Sequence, residues 1–84
     1  MEITGTRGYI DIEHNGRTAR ISGELCINGF AAIASTMKWL SPNDKQTVTE
    51  SDRISLMKAV IEHLKDNENK VFFTNDRYED IDFN

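Results

Sequence analysis

Few residues in this chain have the types that catalysis needs. The 84 residues include two histidines, His14 and His63, and one cysteine, Cys26. A cysteine beside a histidine can act as nucleophile and base, but only when the two are held within hydrogen-bond reach. Nothing in the spacing places them together. His14 precedes a turn signal and should be exposed, and His63 falls on a helix flank. No Gly-rich phosphate loop, Cys-x-x-Cys pair or His-Glu-x-x-His motif occurs. Oxygen donors do cluster near the end, at Asp76, Glu79, Asp80 and Asp82. Their order does not match a calcium loop, which needs alternate acids, a central Gly and a closing Glu. The expectation is therefore no catalytic residue, no cofactor and no metal.

The same terminal stretch suits recognition better than catalysis. Asp76 to Asn84 carries four acids and one base, with Tyr78, Ile81 and Phe83 among them. Carboxylates steer encounter with a basic surface and pair bidentately with Arg. Aromatic side chains supply interface anchors. An acidic patch can also mimic the phosphates that a nuclease site binds. Asp76, Tyr78, Glu79, Asp80 and Asp82 are the candidate partner-binding residues. The competing expectation for this stretch is an edge strand or a fraying end. Trp39, the only tryptophan, is expected in the core, because so large an apolar side chain has few equals in a chain this size.

Composition narrows the classes further. With 38% hydrophobic and 29% charged residues, the chain has room for one domain, 1–84, with a small core. The net charge of −4 argues against direct nucleic-acid binding, which needs a basic face. Arg17 and Arg20, the nearest approach to a basic pair, have acids close by. No run approaches the ~18–20 apolar residues of a membrane span. The first seven residues lack the basic-then-apolar order of a signal peptide. One cysteine fits a reducing cytoplasm.

The elements that must position these residues follow from periodicity. Residues 8–14 and 17–25 alternate apolar with polar side chains around Asn15-Gly16, a strong hairpin signal. Asn28-Gly29 signals a second turn. Residues 30–34 read as a third strand that can run on through Met37 to Trp39 before Pro42. The charge then changes: residues 1–40 balance, and residues 41–84 hold all of the −4. Thr49-Glu50-Ser51-Asp52 has the form of a capping box. Ile54, Met57, Val60, Ile61 and Leu64 recur at helical spacing and predict the buried face. Asp66 to Asn69 ends the helix, and residues 71–74 read as strand four. The expected fold is α+β, a single-layer antiparallel sheet in the order β-β-β-α-β with one helix on one face.

Several of these residues also carry a family resemblance. Gly16-Arg17-Thr18, Ile21-Ser22-Gly23-Glu24, Gly29-Phe30, Ser35 with Trp39, and Pro42 resemble the pattern of immunity protein 74, a small family from bacterial polymorphic toxin and contact-dependent growth inhibition systems. The resemblance covers roughly residues 8–75 and leaves the acidic end outside. It implies a non-enzymatic cytoplasmic protein that binds the C-terminal domain of a cognate toxin one-to-one. It assigns no site residues, and Gly16 and Gly23 look structural, Gly23 as a bulge or bend. The acid-on-base argument favours a nuclease toxin whose active site or substrate path is occluded. The alternatives are a small adaptor or homodimer pairing through a sheet edge and, more remotely, a hydrolase using Cys26 or His14.

Overall fold

A computed structural model describes residues 1–81. Six strands form one sheet: β1 (Glu2–Gly5), β2 (Tyr9–His14), β3 (Arg17–Cys26), β4 (Gly29–Ile33), β5 (Lys38–Trp39) and β6 (Lys70–Thr74). The order is β1-β2-β3-β4-β6, with β5 also on β3. One helix, α1 (Glu50–His63), lies between β5 and β6 in the chain. The α+β class and the single sheet with one helix agree with the sequence; the element order does not.

The β2–β3 hairpin forms as expected. Asn15 and Gly16 take φ of 54° and 80°, the two left-handed residues of a type I′ turn. Ile10 pairs with Ile21 and Ile12 with Ala19, and all four are buried. The second turn sits one residue earlier than its signal. Cys26 pairs with Gly29, so Ile27 and Asn28 are its central residues, with Asn28 at φ 66°. Gly29 serves a different purpose. A Cβ there would lie 2.0 Å from the Lys70 carbonyl oxygen, so its bare backbone is what lets β6 approach β4. At Gly23 a Cβ would meet the Ala31 carbonyl oxygen at 1.8 Å, so close approach of β4, rather than a bulge, accounts for that glycine.

Three corrections to the expected order follow. The first is β1, which pairs antiparallel with β2 and was not anticipated. The second concerns strand three, which divides into β4 and β5. Thr36 hydroxyl accepts from the Ser22 N–H at 2.8 Å and donates to the Ile33 carbonyl at 2.7 Å. Such local side-chain bonds compete with a ladder. Here they hold a 3₁₀ turn, Ala34–Thr36. Chain from Ala32 to Lys38 therefore spans only Gly23 to Arg20 of β3. The third is that the sheet is mixed. β6 runs parallel to β4, with Ala32 opposite Phe73. A parallel partner requires a long crossover, and α1 provides it.

Thr49 caps α1 with both halves of a capping box. The expected face holds at Met57 and Val60, with Ile54 and Leu64 packed against the core; it differs at two positions, gaining Leu56 and losing Ile61. Leu56, Met57 and Val60 are buried, whereas Ile61 is 45% exposed. Arg53 explains the rotation. Its guanidinium donates to the Ala34 carbonyl at 3.1 Å and contacts Glu50 at 2.9 Å. With Arg53 turned toward the sheet, residues 56, 57, 60 and 64 follow at helical spacing, and Ile61 points away. Together with Phe30, Ala32, Trp39 and Phe73 they close one core. Trp39 is 6% exposed, as expected. Arg17 covers its ring at 3.9 Å and reaches Asp52 at 3.7 Å, which ties the hairpin to the start of the helix.

Candidate functional site

Over residues 75–81 the C-terminal stretch forms a turn with one isolated bridge back to β6. Asn75 organises it. Its side-chain oxygen accepts from the N–H groups of Arg77 at 2.9 Å and Glu79 at 3.0 Å. Its side-chain amide donates to the Glu79 carboxylate at 2.8 Å. Its backbone N–H donates to the Glu79 carbonyl at 2.9 Å. Asn is suited to this because its short amide bonds to backbone a few residues on. The turn is fixed to the body at three points. The Ser35 hydroxyl donates to Asp76, Ile81 N–H donates to the Phe73 carbonyl at 3.1 Å, and Asp80 bridges Thr74. Ile81 also packs against the core.

Four of the five candidate residues are thus brought together. Tyr78 takes a left-handed φ of 60°, a conformation a bulky residue rarely adopts, and is 45% exposed. Asp76 and Glu79 each accept one internal hydrogen bond, which fixes their carboxylates, and Asp80 is exposed. Asp82, with Phe83, lies outside the described residues. A groove of about 610 Å³ separates the turn from the start of α1 and is lined by Glu50, Arg53 and Arg77 as well as Asp76 and Glu79. Arg53 is engaged by Glu50 at 2.9 Å.

The residues considered for catalysis are not assembled. His14 is half-buried in β2, His63 is exposed at the end of α1, and Cys26 is exposed on the β3–β4 hairpin. Among the described residues no hydrogen bond joins Cys26 to either histidine, and no group of three or more His, Cys, Asp or Glu could hold a metal. No helix among the described residues is long and apolar enough to cross a membrane. Arg20 is neutralised where it stands. It forms two bonds to Asp11 at 2.8 and 2.9 Å and lies 3.8 Å over the Tyr9 ring. The hydrogen bonds to Asp11 raise its already high pKa.

One surface escaped the sequence. Leu25, Cys26 and Ile27 are all exposed at the tip of the β3–β4 hairpin, Leu25 by 62% and Ile27 by 88%. Beside them lies a second groove, of about 820 Å³, bounded by Ile10, Leu25, Phe30, Leu64 and Val71. The signal available was an isoleucine next to Asn28, at a turn position where polar residues are usual.

No curated protein and no solved structure matches the chain. A family model described as Immunity protein 74 matches residues 2–74. That match takes in the whole sheet and the helix and stops at the last residue of β6, before the acidic turn. The chain belongs to the Immunity protein 74 family.

Proposed function

We propose that this immunity protein acts as a single domain that neutralises a nuclease toxin domain in the cytoplasm. It does so by one-to-one binding that occludes the toxin's active site or substrate path. Family membership makes it an immunity protein with a toxin as partner. The finer reading rests on one observation, the ordered acidic turn. Asn75 fixes the backbone of the turn and the Glu79 carboxylate, and Ser35 holds Asp76, so ordering these groups on a partner costs less conformational entropy than ordering a free chain end. Nuclease sites are basic because they bind phosphates. Carboxylates on a pre-formed turn offer such a site a substitute for them, and the −4 charge accelerates the encounter. Tyr78 supplies an exposed aromatic anchor among them. The chain acts by binding rather than catalysis.

The test neutralises charge without dismantling the turn. Asp76→Asn, Glu79→Gln, Asp80→Asn and Asp82→Asn together should raise Kd for the toxin domain at least tenfold. The loss should fall mainly on the association rate, and the salt dependence of binding should flatten. Unchanged affinity and salt dependence would remove the turn from the interface. The homodimer alternative has less support. The outer edge of β6 is occupied at Phe73 and Thr74 by residues 80–81, and β1 is only four residues long.

A further inference from the structure

The groove beside the β3–β4 hairpin carries a second inference, which rests on the reading of this chain as a toxin-binding protein. We propose that this groove receives an apolar side chain of the toxin, presented next to a carboxylate that pairs with Arg7. Leu25 forms part of its rim, and Ile27, two residues along the same hairpin, is exposed next to it in the chain.

The floor is made by Ile10 and Phe30, both buried. Leu25 pairs with Phe30 across the ladder and so shares its face of the sheet, yet Leu25 stays 62% exposed. The helix ends at His63 and does not reach over it. Leu64 and Val71, both half-buried, form the far wall. The core thus opens here into an apolar concavity instead of closing. Ile27 adds a further exposed apolar residue at the adjoining turn. The turn needs a left-handed residue at Asn28, but nothing in its geometry calls for an isoleucine before it, 88% exposed. Contiguous exposed apolar surface of this kind marks an interaction site.

Charge specifies the occupant. Arg7 lines the groove, is exposed, and makes no ion pair among the described residues. Lys70, the other base in the lining, donates to the Leu64 and Lys65 carbonyls at 2.9 and 2.7 Å and closes the end of the helix. Among the described residues, Glu68 is the only acid in the lining. The groove is therefore locally positive on an acidic protein, and its complement is an apolar residue beside a carboxylate. Its position suits the same partner as the acidic turn. Lys70 starts β6 at the groove and Thr74 ends it at the turn, a span of about 13–17 Å. A standard interface of about 800 Å² per partner covers a patch roughly 30 Å across, enough to include both.

The experiment uses the full chain and a catalytically inactivated C-terminal domain from the product of the gene immediately upstream, with binding kinetics measured on both. Leu25→Asp and Ile27→Asp change exposed positions, and circular dichroism confirms their folding. Leu25→Ser repeats the first with a smaller perturbation. Each aspartate variant should raise Kd at least tenfold through faster dissociation, and Arg7→Glu should raise it about tenfold. All variants within twofold of wild type would overturn the proposal. If the charge-neutral turn variant still lost affinity in that case, the toxin-binding reading would survive without the groove. No binding by the wild-type chain would end both. A wild-type dimer in sedimentation that Leu25→Asp dissociates would assign the groove to a second copy and overturn the proposal equally.

Discussion

Gly29→Ala should destabilise the fold more than any other glycine substitution except Gly23→Ala. The added Cβ would lie 2.0 Å from the Lys70 carbonyl oxygen and 3.0 Å from the Lys70 nitrogen. Ordinary contact begins at 3.4 Å, so β6 would have to retreat by about 1.4 Å. A ladder bond of ~2.9 Å does not survive that displacement. The Lys70 N–H bond to Asn28, now 2.8 Å, would go first, followed by the next bond along β4. Each contributes about 1 kcal/mol net. The loosened packing of Val71 and Phe73 brings the cost to about 3 kcal/mol, the upper part of the usual range for overpacking. In a domain of this size each kcal/mol moves Tm by about 4–8 °C, so a loss of at least ~12 °C is expected. Two other glycines serve as controls. Gly16→Ala meets no atom within 4 Å but sits at φ +80°, and should cost about 1–2 kcal/mol from backbone strain alone. Gly8→Ala meets no atom within 4 Å either and lacks the positive φ, so it should be neutral or slightly stabilising. Thermal unfolding followed by circular dichroism reads all three. A Gly29→Ala protein melting within 3 °C of wild type would refute the close-approach argument.

Two further predictions concern α1. Leu56→Ala should cost about 2–5 kcal/mol in urea unfolding, as for a buried leucine, and Ile61→Ala less than about 1 kcal/mol. The reverse order would restore the helix face expected from spacing alone. Asp52 should contribute to the acid limb of stability. The Thr49 backbone N–H at 3.2 Å, the Thr49 side chain and Arg17 hold its carboxyl below the usual carboxylate range. Its contribution is therefore complete above the unfolded value near pH 4, and is lost as pH falls through the lower folded value. Asp52→Asn should lower the urea midpoint at pH 7, and the loss should shrink as pH falls below about 4 toward 2. An equal loss at both pH values would contradict the assignment.

Local chemistry was the part of this fold legible in the sequence. Asn15-Gly16 specifies its turn, Thr49 with Asp52 specifies its cap, and the alternating isoleucines of β2 and β3 specify their face. Each signal acts within a few residues. Features set by distant contacts were not legible. The direction of β6 leaves no mark on its own side chains, because parallel and antiparallel strands alternate with the same period. β1 contributes only Ile3 to the core margin, with Met1 just before it, too few to show a pattern. The break between β4 and β5 depends on Thr36 reaching Ser22, fourteen residues away. The candidate site divides in the same way. Its carboxylates were visible as composition, but the role of Asn75 in fixing them was not. Leu25 was hidden by the assumption that a strand's apolar residues are covered, which fails where α1 stops short.

The central claim is that this chain protects a cell from a toxin by binding it. The direct test expresses the C-terminal domain of the upstream gene product alone and together with this chain. The domain alone should kill, co-expression should restore growth, and the two proteins should purify together in equal amounts. A domain that is harmless, or that kills regardless of this chain, would contradict that claim.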